Sequence, residues 1–203
     1  MQPPTHLLLA QNGPLEWPEA LFAYQLEGIQ ALMSHDALLL ADDMGLGKTI
    51  QTIAALRLLI LQRQVETALV ILRAGLINQW RKEVQRWAPE LRISAIRGPG
   101  AERTWQWTTG ADVYLVSYET FRADFTDNPY SPPRRRVWDV VILDEAQTIK
   151  NRDAEISSKC KRLPRRRAWA LTGTPVENNE DQLASLLEFV TPVEEDSAPR
   201  RLK

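Results

Sequence analysis

Gly45-Leu46-Gly47-Lys48-Thr49 and Asp144-Glu145 carry the side-chain types from which a nucleotide-cleaving site is assembled. Two glycines let a backbone turn tightly and aim its N–H groups at an anion, at the positive end of the dipole of the helix that follows. Lys48 is then placed to reach the β- and γ-phosphates, and the Thr49 hydroxyl is a ligand for Mg²⁺. Asp144 supplies a second magnesium ligand, through water as this small cation prefers. Glu145 is the candidate to orient the water that attacks the γ-phosphate. Adjacent residues point in different directions from a strand end, so the two carboxylates can have separate roles. An Asp-Glu pair alone reads as a solvated turn. Its pairing with a phosphate loop in an alternating chain is what gives it chemistry.

Both groups follow apolar runs. Leu38-Leu39-Leu40-Ala41 reads as a buried parallel strand, and the stretch from Thr49 to Leu61 has Ile50, Ile53, Ala54 and Leu58 at helical spacing. Val137–Leu143 is a strand that runs into the acidic pair, and Arg167–Leu171 is another, ending in Thr172-Gly173-Thr174-Pro175. Ala68–Leu72, Ile93–Ile96 and Val113–Ser117 complete the strands, and Gly98-Pro99-Gly100 breaks the chain after the second of these. Helices are expected from Glu19 or Leu21 to Ser34, around Trp80, Val84 and Trp87, and from Asp181 to Phe189. Trp80 and Trp87 lie seven residues apart on one helix and are expected in the core. Asp127–Arg136, with three prolines, reads as an exposed excursion. Such an alternation predicts an α/β fold, a three-layer parallel sheet with helices on both faces, that is, a RecA-like P-loop lobe. Ligands of such sheets bind at the carboxyl ends of the strands.

Composition narrows the classes. A chain of 203 residues fits one domain, with residues 1–18 as a loose arm, 19–192 as the lobe and 193–203 as a polar tail or linker. No apolar run is long enough to span a bilayer, so no membrane partner is expected. The single cysteine, Cys160, excludes an intrachain disulfide and suits a cytoplasmic setting, and with only His6 and His35 a zinc site is not expected. The net charge of −1 hides two basic knots, Arg134–Arg136 and Lys159–Arg167, which read equally as phosphate-binding patches or as solvated faces.

In their order along the chain these blocks resemble the first motor lobe of the Swi/Snf-type family of superfamily-2 helicase-like ATPases, a family of duplex-DNA translocases with many bacterial members. The resemblance runs from about Leu21 to Pro192 and implies a bacterial source, nucleoid-associated in the cell. Leu21-Phe22-Ala23-Tyr24-Gln25 with Gly28 resembles the family's first motif, which implies that Gln25 bonds the adenine edge. Asp42-Asp43-Met44-Gly45-Leu46-Gly47-Lys48-Thr49 is similar to the family's phosphate loop and accounts for Asp42, where the general pattern has glycine; Asp43 to Thr49 would bind the nucleotide. Asp144-Glu145-Ala146-Gln147, with Lys150-Asn151, is similar to the acidic box, in which Gln147 joins the catalytic set. Leu171 to Pro175 with Glu177-Asn178 resembles the block in which Thr172, Gly173 and Thr174 couple nucleotide state to domain closure. Small hydroxyl residues at a strand end near Gln147 are also physically suited to exchange hydrogen-bond partners when a γ-phosphate arrives. Ala68–Leu72 with Gln79-Trp80 and Glu83, and Ser117-Tyr118-Glu119-Thr120, resemble the blocks that touch nucleic acid, so Arg73, Ser117 and Tyr118 become nucleic-acid candidates. Arg73 and Gly75 stand where the family usually has proline and serine.

The resemblance implies ATP and Mg²⁺ as cofactors, double-stranded DNA as a partner and a second RecA-like lobe, in cis or in trans, that completes the site with arginine. Without that arginine, worth on the order of 10³–10⁵ in rate in related phosphoryl transfers, the chain alone is expected to bind ATP and DNA weakly and to turn over slowly. Two other readings are a nucleotide-binding interaction module that never hydrolyses ATP, and the lobe of a strand-separating or restriction-type helicase.

Overall fold

The computed structural model describes residues 8–9, 13–43, 45–151, 154–173 and 180–191. Six strands form one all-parallel sheet: β1 (Ala37–Leu40), β2 (Ala68–Leu72), β3 (Ile93–Ile96), β4 (Val113–Ser117), β5 (Trp138–Leu143) and β6 (Arg165–Leu171). Their spatial order is β1-β6-β5-β2-β4-β3. The helix α1 (Ala23–Ser34) precedes them, α2 (Lys48–Leu61), α3 (Ile77–Trp87), α4 (Gly100–Thr108), α5 (Tyr118–Asp124) and α6 (Glu155–Lys161) run between them, and α7 (Glu180–Val190) follows the last.

The strands explain the two-sided cover. Every residue of β2, β4 and β5 is buried. Successive side chains alternate between faces, so Val70 and Leu72 join the core under α1, α2 and α3 while Leu69 and Ile71 join the core under α4 to α7. A strand hidden on both faces has few polar positions to spare, which is why these runs are apolar except at Asp139 and Ser117, and both of those side chains accept backbone N–H groups. On α2, Gln51 to Leu59 are all buried, so it is enclosed on every side rather than along one stripe as expected. Trp80 and Trp87 sit in the core as expected, each 1 % exposed. Truncating such a side chain to alanine costs about 3–5 kcal/mol.

Three expectations need correction. The N-terminal arm is not loose where it is described: Leu8 and Leu9 are buried and Trp17 donates from Nε1 to the Leu8 carbonyl at 2.8 Å. Buried Arg57 holds the segment from below, donating to the Glu16 carbonyl at 2.7 Å and to Glu90 at 2.6 Å while stacking 4.6 Å from the Trp17 ring. A segment that carries Leu8, Leu9 and Trp17 has core to gain, and the proline spacing concealed it. The excursion 127–136 is exposed at Tyr130 but anchored at Ser131 and Pro133, whose carbonyl accepts from Trp138 Nε1 at 2.9 Å. Finally, β6 begins two residues earlier than expected, because Arg165 is buried and donates to the carbonyls of Lys161 (3.0 Å) and Leu163 (2.8 Å).

Among the described residues no helix is long and apolar enough to cross a membrane.

Candidate functional site

The three strands that end at the candidate site, β1, β6 and β5, are neighbours in the sheet. Because all run parallel, their carboxyl ends release the phosphate loop, Thr172-Gly173 and Asp144-Glu145 on one edge. A cleft of about 410 Å³ opens there, walled by Lys48, Thr49, Asp144, Glu145 and Gly173, with Trp80 and Glu83 of α3 opposite.

The loop has the backbone its glycines predict. Gly45 and Gly47 have φ of 86° and 73°, a region costly for any residue with a Cβ. Gly47 is constrained twice, since a Cβ there would stand 2.6 Å from Gln25 Nε2. It is the residue before α2, whose first turn presents backbone N–H groups that lack helical acceptors. The Lys48 ammonium folds back onto the loop, donating to the Asp42 carbonyl at 2.7 Å and the Asp43 carbonyl at 2.9 Å. Behind the loop, Gln51 Nε2 donates to Leu46 O at 3.1 Å and to Asp42 Oδ2 at 3.3 Å. Asp42 thus braces a wall that glycine could not. Met44 lies outside the described residues.

Asp144 is 8 % exposed, and each of its carboxylate oxygens takes one donor: the Glu145 N–H to Oδ1 at 3.0 Å and Trp80 Nε1 to Oδ2 at 2.7 Å. Burial pushes its carboxyl above the usual range; the Trp80 bond opposes this, and the charge of Glu145 adds to it. Glu145 stands at φ 52°, a left-handed conformation that turns the chain out of β5. Its carboxylate accepts from Gln147 Nε2, and Gln147 Oε1 in turn accepts from Thr172 Oγ1 at 3.0 Å. The Thr172 N–H is donated to Leu40 O at 3.1 Å, at the end of β1. The acidic box is therefore tied to the β6 end and, through it, to the strand carrying the phosphate loop. Thr174, with Glu177 and Asn178, lies outside the described residues.

The remaining expected residues are less uniform. Gln25 is buried behind Gly47, its Oε1 accepting the Phe22 N–H at 3.0 Å at the start of α1. Arg73 is exposed at the end of β2. Ser117 and Tyr118 are 4 % and 3 % exposed and offer no surface to nucleic acid. Ser117 caps α5, accepting the Thr120 N–H at 3.1 Å, and the Tyr118 hydroxyl donates to the Asp144 carbonyl at 2.9 Å, which burial of an aromatic polar tip requires. The basic knots are largely committed to structure as well. Arg136 stacks on Tyr114 and Trp138, Arg162 pairs with Asp127, Arg166 with Asp139, and Arg167 with Asp36. Sequence reasoning put Trp80, Glu83 and Tyr118 in blocks that touch nucleic acid. It missed that Trp80 and Tyr118 are buried donors to Asp144 and that Glu83, with one carboxylate oxygen buried without a hydrogen-bond partner, lines the cleft.

The donor set suits Mg²⁺–nucleotide: hard oxygens from Thr49 and Asp144, an ammonium, and the free backbone N–H groups at the start of α2.

Residues 24–199 match the SNF2-related domain. The chain is similar to DNA excision repair protein ERCC-6-like of Mus musculus, 36 % identical over 180 residues, which cover 84 % of this chain and 14 % of that protein. It is also similar to the ISWI chromatin-remodeling complex ATPase ISW1 of Saccharomyces cerevisiae, 35 % identical over 182 residues, covering 83 % and 15 %. Among solved structures it is similar to the Sulfolobus solfataricus SWI2/SNF2 ATPase core in complex with dsDNA, with a TM-score of 0.79 and 30 % identity over 90 % of this chain and 38 % of that one. The chain thus spans a small part of these relatives, and their sources lend no support to a bacterial origin. With its fold and its sequence in agreement, the chain belongs to the SNF2-related domain family, with the RecA-like fold of a Swi2/Snf2 ATPase core.

Proposed function

We propose that this chain is the ATP-binding lobe of a DNA-dependent ATPase that translocates on duplex DNA, and that it hydrolyses ATP only when a second RecA-like lobe completes the site. The observation that carries this reading is the convergence of Lys48, Thr49, Asp144 and Glu145 on one cleft at the ends of adjacent strands. Lys48 would exchange the carbonyls of Asp42 and Asp43 for the β- and γ-phosphates, a trade that matches ammonium to anion. Thr49 and Asp144 would hold Mg²⁺, which when bound neutralises phosphate charge. Glu145, kept in place by Gln147, would accept a hydrogen bond from the attacking water. Thr172 would report on this arrangement through Gln147, and Gln25 would read the adenine from beside Gly47.

A DNA partner is supported by the name of the DNA excision repair relative and by the solved core bound to dsDNA. On this chain Arg73 is the nucleic-acid candidate that stays exposed. The test is phosphate release from ATP–Mg²⁺ with and without duplex DNA, with Lys48→Ala as the blank. Turnover by the single lobe should stay near the blank and rise with DNA only after a second lobe is added. Fast, DNA-stimulated turnover by the lobe alone would overturn the half-site reading. A lobe whose ATP affinity is the same with Lys48→Ala would overturn the ATP reading itself.

A further inference from the structure

We infer that Trp80 is a positioning residue for magnesium: its indole N–H sets the Asp144 carboxylate in the orientation that the metal needs. This rests on the reading of Asp144 as a magnesium ligand. The two residues are far apart in sequence and meet across the sheet edge, where Trp80 Nε1 donates to Asp144 Oδ2 at 2.7 Å. That bond is fully enclosed, since Trp80 is 1 % and Asp144 8 % exposed.

The geometry goes beyond packing. A carboxylate on the residue just past a strand can turn about its side-chain bonds, and its two oxygens are equivalent only until something distinguishes them. Here the neighbouring backbone N–H of Glu145 takes Oδ1 at 3.0 Å and the indole takes Oδ2, so the plane of the group is defined by two donors from different elements. Each oxygen keeps a further acceptor site for a metal-bound water. The indole ring itself is locked by the core on the α1–α3 face, so the donor cannot drift. The residue's backbone is tied down separately by the Tyr118 hydroxyl on the Asp144 carbonyl at 2.9 Å. A buried indole N–H needs some acceptor, and here that acceptor is the candidate metal ligand itself, at 2.7 Å. Partners that orient metal ligands in this way, when removed, typically cost about ten- to a hundredfold in metal affinity.

The experiment measures ATP affinity of this chain by calorimetry in Mg²⁺ and in EDTA, for the wild type, Trp80→Phe and Lys48→Ala. The metal-dependent gain in affinity is expected to fall about tenfold or more in Trp80→Phe while the affinity in EDTA is unchanged. Should phenylalanine fail to fold, a second variant carries benzothienylalanine at position 80, which keeps the bicyclic shape and exchanges only the N–H for sulfur. It is expected to melt near the wild type and to show the same loss of metal dependence. An unchanged metal-dependent gain in either variant overturns the inference, as does an equal fall in both media, which would mean that Trp80 acts by packing alone. A wild type with no metal-dependent gain, together with Lys48→Ala binding ATP as the wild type does, overturns the ATP reading and this inference with it. Lys48→Ala losing affinity while Trp80→Phe keeps the metal gain overturns this inference only.

Discussion

Replacing Gly28 by alanine sets two general effects against one another, and the structure decides the sign. Gly28 lies inside α1, where alanine favours the helix by about 1 kcal/mol. Its added Cβ would stand 1.8 Å from Gln51 Oε1 and 2.9 Å from Gln51 Cδ. Gln51 is 0 % exposed and cannot swing into solvent. It must move within a packed core, which costs about 1–3 kcal/mol, and in moving it gives up its bonds to Leu46 O and Asp42 Oδ2, each worth about 1 kcal/mol net. The balance is a loss of about 3 kcal/mol, or roughly 6–12 °C in melting temperature for a chain of this size. Because both lost bonds brace the phosphate loop, ATP affinity should fall in parallel, from a substitution that never touches the nucleotide. Urea unfolding followed by tryptophan fluorescence, with calorimetric titration of ATP, measures the two effects. In a Gln51→Ala background the obstacle is gone, and the same Gly28→Ala change should stabilise by about 1 kcal/mol. Stabilisation of the wild-type background by Gly28→Ala would refute the reasoning, since it would mean that helix propensity outweighs the clash.

Asp144→Asn should abolish the magnesium-dependent gain in ATP affinity by removing a metal ligand. By removing a charge that burial disfavours it should also carry a stability advantage at neutral pH, set against a pH-independent cost because its NH₂ leaves Trp80 Nε1 or the Glu145 N–H facing a donor. The sign follows from the raised carboxyl: the folded state holds its proton more tightly than the unfolded one, so the wild type loses stability as pH rises through the folded-state value, and the advantage of asparagine should vanish in acid. A thermal-melting series across pH checks it, and an advantage constant with pH would be the contrary result. Arg57→Ala should cost about 1–2 kcal/mol, since the Glu16 carbonyl loses its donor and Trp17 loses the guanidinium packed on it, while exposed Glu90 turns to water. The same variant should expose the segment around Trp17 to limited proteolysis, read by mass spectrometry. Cys160 should resist iodoacetamide in the native protein and react once urea unfolds it, because burial pushes its thiol far above its ordinary value.

How far the sequence spoke depends on the range of the interaction that fixes each element. β2, β3 and β4 match their expected bounds residue for residue, because a run such as Ala68–Leu72 between polar flanks fits only a strand hidden on both faces. Short α5 and α6 went unassigned, since seven residues offer too few turns for a periodic signal. α4 went unassigned because Gly98-Pro99-Gly100 reads as a break, although Pro99 and Gly100 open the helix. At the site, the glycines, Lys48 and the acidic pair were legible because their chemistry is local to a loop. Trp80 was rightly placed in the core, yet its role depends on an oxygen brought near by three parallel pairings, β2 with β5 among them. Tyr118 was assigned to nucleic acid by resemblance and is buried by its ring. The basic knots were ambiguous because their partners, Asp36, Asp127 and Asp139, lie on other elements.

The strand order has a consequence for how the lobe is made. β1, which carries the phosphate loop, pairs with β6 alone, through Ala37↔Ala168 to Leu40↔Leu171. As the chain leaves the ribosome, β2, β3, β4 and β5 can zip together while β1 waits with an unpaired edge for the last strand to appear. Insertion of β6 then closes the sheet and brings the two halves of the cleft together in one event. The nascent lobe therefore acquires its site late, and until residue 171 is free of the exit tunnel both β1 and the facing edge of β5 lack the partner that β6 supplies.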